Sequence, residues 1–174
     1  MYYMMCPRDG MVHRFEHARG HKYSKCMFCG GRLIPLPEER GRRLYRTQLK
    51  RCKKYIEALV EALKTYACHM DGYSIHCSGP VVVTNTVPYA ACSISLIFFT
   101  EKAGSAILTV LDKIHRLAEE YGVPTKILLA GRSRVIRDPT ALGFTLVNPR
   151  EEVYLYRIYP PHSQTPRAAT HINK

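Results

Sequence analysis

GSAILTVLDKIHRLAEEYGVPTKILLA, Gly104 to Ala130, carries the clearest structural signal in the chain. Ala106, Ile107, Val110, Leu111, Ile114, Leu117, Ala118 and Tyr121 recur at three- and four-residue steps, the period of a helix buried along one face. Gly122 and Pro124 stop it, because glycine takes the left-handed backbone that closes a helix and proline cannot continue one. KILLA (126–130) then reads as a buried strand. Upstream, YSIHC (73–77), VVVTNT (81–86) and ACSISLIFF (91–99) read as strands, with SGP and VPY as turns. A helix is expected before them, from Tyr45 to Ala67. Leu49, Cys52, Ile56, Leu59, Val60, Leu63 and Ala67 form its apolar stripe, and HMDG (69–72) ends it.

RLIPL (32–36) reads as a short strand, and Pro35, Pro37 and EERGRR as a linker. Downstream, GRSRVIRDPTAL (131–142) is a loop or short helix, and GFTLV (143–147) and EVYLYRI (152–158) form a hairpin across NPRE. PPHSQTPRAATHINK (160–174) has no apolar pattern and is expected to be disordered. This order predicts an α/β fold: a mixed sheet with helices on both faces and a closing hairpin. The boundaries follow as a module at 1–37, a basic linker and helix start at 38–54, an α/β domain at 45–159 and a tail at 160–174.

The module is CPRDGMVHRFEHARGHKYSKCMFCGGRL, Cys6 to Leu33. Cys26-Met27-Phe28-Cys29-Gly30-Gly31 is half of a zinc ribbon: the two-residue spacer points both sulfurs at one ion, and the glycines permit the tight turn. Cys6-Pro7-Arg8-Asp9-Gly10 opens as the matching half, but Asp9 stands where the second cysteine is usual. Cys6, Cys26 and Cys29 are therefore three expected zinc ligands. The fourth is open among His13, His17, His21 and Asp9; His13 is favoured, being an imidazole near the first knuckle. Cys52, Cys68, Cys77 and Cys92 fall in helix- or strand-like segments and are expected to be small buried core thiols.

The 174 residues carry a net charge of +12, and residues 1–54 hold fourteen Lys/Arg against four Asp/Glu. The body beyond them is near neutral. A basic head on a neutral body points to a polyanionic partner, nucleic acid or a ribonucleoprotein. Arg42, Arg43, Lys50, Arg51, Lys53 and Lys54 are the expected contacts. Tyr2, Tyr3, Tyr23 and Phe28 lie in the same basic region, where bases could stack. No apolar run approaches the length of a membrane span. The opening MYYMMCPRDG lacks the regions of a secretion signal, so a cytoplasmic setting is expected. Phosphate-binding loops of the GxxxxGK[ST] type, GxGxxG turns and HExxH are all missing from the sequence.

From RLIPL to EVYLYRI the order of elements resembles the GNAT family of N-acetyltransferases, most closely over residues 91–158. GSAILTVLDKIHRLAEEYGVPTKILLA is similar to that family's central helix and following strand, and LGFTLVNPREEVYLYRI to its GF turn and final hairpin. The resemblance implies an acetyl-CoA or other acyl-donor site at the start of the central helix, held by Lys102, Gly104, Ser105 and Ala106. Two positions depart from the family. Glu101 stands where Gln or Arg is usual, and Pro139 where a tyrosine often acts on the leaving thiolate. Two functions are therefore expected: a zinc-ribbon GNAT-like acyltransferase working on or near nucleic acid, or a non-catalytic zinc-containing nucleic-acid-binding or ribonucleoprotein component.

Overall fold

A computed structural model describes residues 1–16, 25–85 and 91–159. Strands β1 (Tyr2–Met5), β2 (Val12–Phe15) and β3 (Ile34–Leu36) come first, followed by helix α1 (Glu38–Ala62). The hairpin β4 (Cys68–Asp71) and β5 (Ser74–Cys77) leads to β6 (Val81–Asn85) and β7 (Ile94–Phe99). The short helix α2 (Thr100–Ala103), helix α3 (Ile107–Tyr121), β8 (Thr125–Ala130), β9 (Thr145–Asn148) and β10 (Val153–Ile158) complete the order. The main sheet has five strands in the order β6-β7-β8-β10-β9. Only β7 and β8 are parallel, paired from Ile94↔Thr125 to Phe99↔Ala130, and α3 makes the crossover between them. A parallel pair needs such a connection, because a tight turn can join only antiparallel strands.

Ile107, Val110, Leu111, Ile114 and Ala118 of α3 are buried, as its periodicity predicts, and Gly122 closes it in the left-handed region at φ 65°. Ile94, Leu96 and Phe98 of β7 and Thr125, Ile127 and Leu129 of β8 are buried in the same core as Tyr55, Ile56 and Leu59 of α1. These strand residues alternate, so they share one sheet face. Tyr55 donates to or accepts from Thr125 Oγ1 at 3.0 Å and lies 6.1 Å from the Tyr121 ring. Both long helices therefore cover one face. This corrects the expectation of helices on both: the alternate residues Ile97, Phe99 and Leu128 are only half-buried or exposed among the described residues.

Three local expectations also change. Glu38–Arg43, expected as linker, form the start of α1. Pro37 precedes the first turn, Glu38 and Glu39 meet the positive end of the helix dipole, and Arg42 pairs with Glu38 at 2.6 Å. Residues 68–71, expected as a helix end, are strand β4, and Gly72-Tyr73 turn it into β5. The four expected core thiols are buried or half-buried, but they are paired: Cys52 with Cys92, and Cys68 with Cys77. Helix α1 brings Cys52 within 6.3 Å, Cα to Cα, of the segment entering β7. The β4–β5 register puts Cys68 directly opposite Cys77, 4.0 Å apart.

The N-terminal strands form a separate three-stranded sheet, β2-β1-β3, fastened to α1. Gln48, buried on α1, accepts from Val12 N at 2.9 Å and donates to Val12 O at 2.8 Å, acting as a strand would along β2. The Arg14 guanidinium lies 4.9 Å from the Tyr45 ring centroid. Gly41 is where the helix touches β1: a Cβ there would fall 2.2 Å from Tyr3 Cβ. Gly41→Ala is expected to lower stability by about 1–3 kcal/mol, the usual cost of overpacking, despite alanine's better helix propensity. Denaturant unfolding of the zinc-loaded variant checks this, and unchanged or raised stability would contradict it.

Candidate metal centre

Two matched turns build the site. In the first, Gly10 N donates to Cys6 O at 2.8 Å and Cys6 N to Met11 O at 2.9 Å. In the second, Gly30 N donates to Cys26 O and Cys26 N to Gly31 O, both at 2.8 Å. Gly10 and Gly30 sit at φ 75° and 72°, where a side chain would be strained. The likeness extends to the fourth residue of each turn. Gly31 N donates to Cys29 Sγ at 3.4 Å, and Met11 N donates to Asp9 Oδ1 at 2.9 Å. Asp9 thus occupies the place that Cys29 holds in its own turn.

The remaining carboxylate oxygen faces the sulfurs: Cys26 Sγ donates to Asp9 Oδ2 at 3.0 Å, and Cys6 Sγ lies 3.5 Å from Cys29 Sγ. One ligand atom from each of Cys6, Asp9, Cys26 and Cys29 lies within 4.8 Å of the others. That set fits a metal ion such as zinc. Tetrahedral zinc with sulfurs at about 2.3 Å separates them by roughly 3.8 Å, close to the observed spacing.

The electrostatics of the cluster suit a cation. A hydrogen bond from Cys26 draws the Cys6 thiol down from 9.0 to about 6, against the effect of burial. The same bond pushes Cys26 up, and burial and Asp9 push it further. Burial raises Cys29. Without a metal, the cluster must retain protons to hold its acidic atoms together; a divalent ion replaces those protons. Lys126 approaches from the main sheet, donating to Met27 O at 3.3 Å and lying 5.6 Å from the Phe28 ring centroid. Phe28 also packs edge-on against Tyr159. The knuckle is therefore held by the body as well as by its own turns.

His13 does not join the four. It lies on β2 opposite Met4, fully buried and 6.2 Å from the Phe15 ring it stacks on. Burial pushes its pKa from 6.5 down to about 4, with the Asp9 charge opposing, so the ring is neutral. Neither ring nitrogen has a hydrogen-bond partner among the described residues. The expectation that His13 supplies the fourth ligand is corrected in favour of Asp9. His13 shares its sheet face with Met4, which packs beside the cysteines, but it is not in the group whose ligand atoms gather within 4.8 Å, whereas the turn geometry aims Asp9 into that group. His17 and His21 lie outside the described residues.

The basic residues separate into two groups. Arg43, Arg46, Lys50, Lys53 and Lys54 are exposed along α1, opposite its buried stripe of Gly41, Tyr45, Gln48, Cys52, Tyr55 and Leu59. Arg42 is exposed but ion-paired with Glu38. Arg51 belongs elsewhere: it is half-buried, burial lowers its pKa, and its Nε has no partner among the described residues. Arg46 was not among the expected contacts, yet its spacing from Arg43 and Lys50 puts it on the same exposed helical face.

The expected donor site divides as well. Lys102 lines a crevice of about 700 Å³ with Glu101, Phe99, Ser78, Pro80 and Gly131. Gly104, Ser105 and Ala106 lead into α3 without lining it. Across Gly131 lies a second depression of about 340 Å³, containing Thr100, Arg132, Ser133, Arg137, Pro139 and Tyr154. Both open beyond the carboxyl ends of the parallel strands, where α/β sheets commonly bind ligands. Thr100 Oγ1 donates toward Ala130 O and Gly131 O at 3.1 and 2.8 Å, tying those ends together.

The chain matches no protein-family model, no curated protein and no solved structure. Among the described residues, no helix is long and apolar enough to cross a membrane.

Asp9→Ala is expected to weaken zinc binding by at least about tenfold, while His13→Leu keeps one equivalent. Affinity falls with falling pH, because protons compete for the thiolates. Competition against a chromophoric chelator measures all three, and full zinc loss in His13→Leu with none in Asp9→Ala would reverse the assignment.

Proposed function

We propose that the protein is a metal-stabilised nucleic-acid-binding or ribonucleoprotein component that grips a phosphate backbone with α1. The observation that carries this reading is the stripe of Arg43, Arg46, Lys50, Lys53 and Lys54, which alternates around α1 with the residues that bury it. No acidic side chain among the described residues forms an ion pair with those five. The stripe is stiff because Gln48 and Tyr45, on the opposite side of the same turns, bond or pack against β1 and β2. Zinc then acts on binding indirectly, by ordering the sheet that braces the helix.

Binding to a 20-base-pair DNA duplex should weaken steeply with salt. Replacing Arg43, Arg46, Lys50 and Lys53 together by Ala should flatten the slope of log K against log salt by about 3–4. A salt-independent affinity, or an unchanged slope in the variant, would remove the reading.

A second reading keeps the acyltransferase. It is favoured by the parallel β7–β8 pair crossed by α3, with the hairpin of β9 and β10 after Gly143-Phe144. In it, the crevice carrying Lys102 receives the phosphates of acetyl-CoA or another acyl donor. Tyr154, which shares a depression with Pro139, supplies the hydroxyl that Pro139 lacks. Micromolar calorimetric binding of acetyl-CoA, lost in Lys102→Glu, is the expected result. Binding absent at millimolar acetyl-CoA would exclude that donor.

A further inference from the structure

The hairpin of β4 and β5 carries a pair of metal-ligating side chains, away from the thiolate centre. His69 and His76 face each other in the antiparallel register, one pair along from the Cys68–Cys77 disulfide. Strand alternation sends the disulfide toward the core and both imidazoles to solvent: Cys68 and Ile75 are buried, His69 and His76 exposed. The ring centroids are 5.7 Å apart, and among the described residues neither ring nitrogen has a hydrogen-bond partner. Asp71 and Ser74 form the end pair of the same register and, by alternation, belong to the same exposed face.

We propose that His69 and His76 chelate one exchangeable divalent transition-metal ion. Imidazole suits nickel, copper and zinc rather than magnesium or calcium. An imidazole bound through nitrogen at about 2.1 Å holds its centroid about 3.2 Å from the ion, so two share one ion at a centroid separation near 5.7 Å when the N–metal–N angle is roughly 125°. The observed separation therefore needs only side-chain rotation to become a two-nitrogen chelate. The disulfide fixes which residues are opposite, so the pair is assembled before the ion arrives. A carboxylate on the same face adds attraction for a cation. Solvent fills the remaining positions, which makes the ion exchangeable, unlike one held by buried thiolates.

The test is calorimetric titration of the zinc-loaded full chain with Ni²⁺, beside His69→Ala, His76→Ala and, as a control, His115→Ala. The wild type and the control should take up one equivalent that both hairpin variants bind about 100-fold more weakly, since each loses one arm of a chelate. His69 and His76 are exposed and His115 is half-buried, and unchanged thermal midpoints confirm that the fold is intact. Uptake that persists in both hairpin variants, a loss confined to one of them, or no Ni²⁺ uptake by the wild type would each overturn the proposal.

Discussion

Four acidic ligand atoms within 4.8 Å of one another set the terms for the N-terminal third of the chain. Three thiolates and a carboxylate repel each other unless protons or a cation lie between them. The small core of Met4, Met11, Phe28 and Leu33 packs around that cluster, and so few apolar residues supply little stability alone. A dication bound there would turn the repulsion into cohesion. From there the effect spreads through β1 and β2 to Gln48, Gly41 and Tyr45, and so to the basic face of α1.

The body rests on different physics. Its core lies between one sheet face and two helices, and Cys52–Cys92 ties the longer helix to the strand entry. Disulfides are typical of oxidising compartments, whereas a thiolate-rich zinc site needs reduced sulfur. The protein separates the two chemistries in space. The three free cysteines are within one cluster, and the paired ones are in the body. A metal also protects its thiolates, because bound sulfur is a poorer target for oxidation.

Much of this was legible in the residues. Helix α3 and strand β8 follow from a strict apolar period and a Gly-x-Pro stop, and Cys-x2-Cys-Gly-Gly announced the knuckle. Asp9 was harder to read because composition ranks imidazole above carboxylate as a zinc ligand, while backbone geometry decides. The repeated turn, with glycine after the fourth residue in both halves, was the available signal. Strand β4 is hidden by the helical period that runs on before it, although Gly72-Tyr73, a glycine opening a two-residue loop, is a recognised hairpin turn. The start of α1 was hidden by Gly41, whose missing side chain makes room for Tyr3 and leaves no apolar mark. Pairing of the four body cysteines depends on distances that spacing along the chain does not contain.

Three sulfurs and the Asp9 carboxylate, not an imidazole, are the expected ligands of an ion at the N-terminal site. X-ray absorption at the zinc edge of the singly loaded protein tests this ligand set most directly. The expected spectrum shows about three sulfurs near 2.3 Å and one oxygen near 2.0 Å, with none of the outer-shell scattering that a rigid imidazole ring produces. Clear imidazole scattering, retained in Asp9→Ala and lost in His13→Leu, would contradict that ligand set.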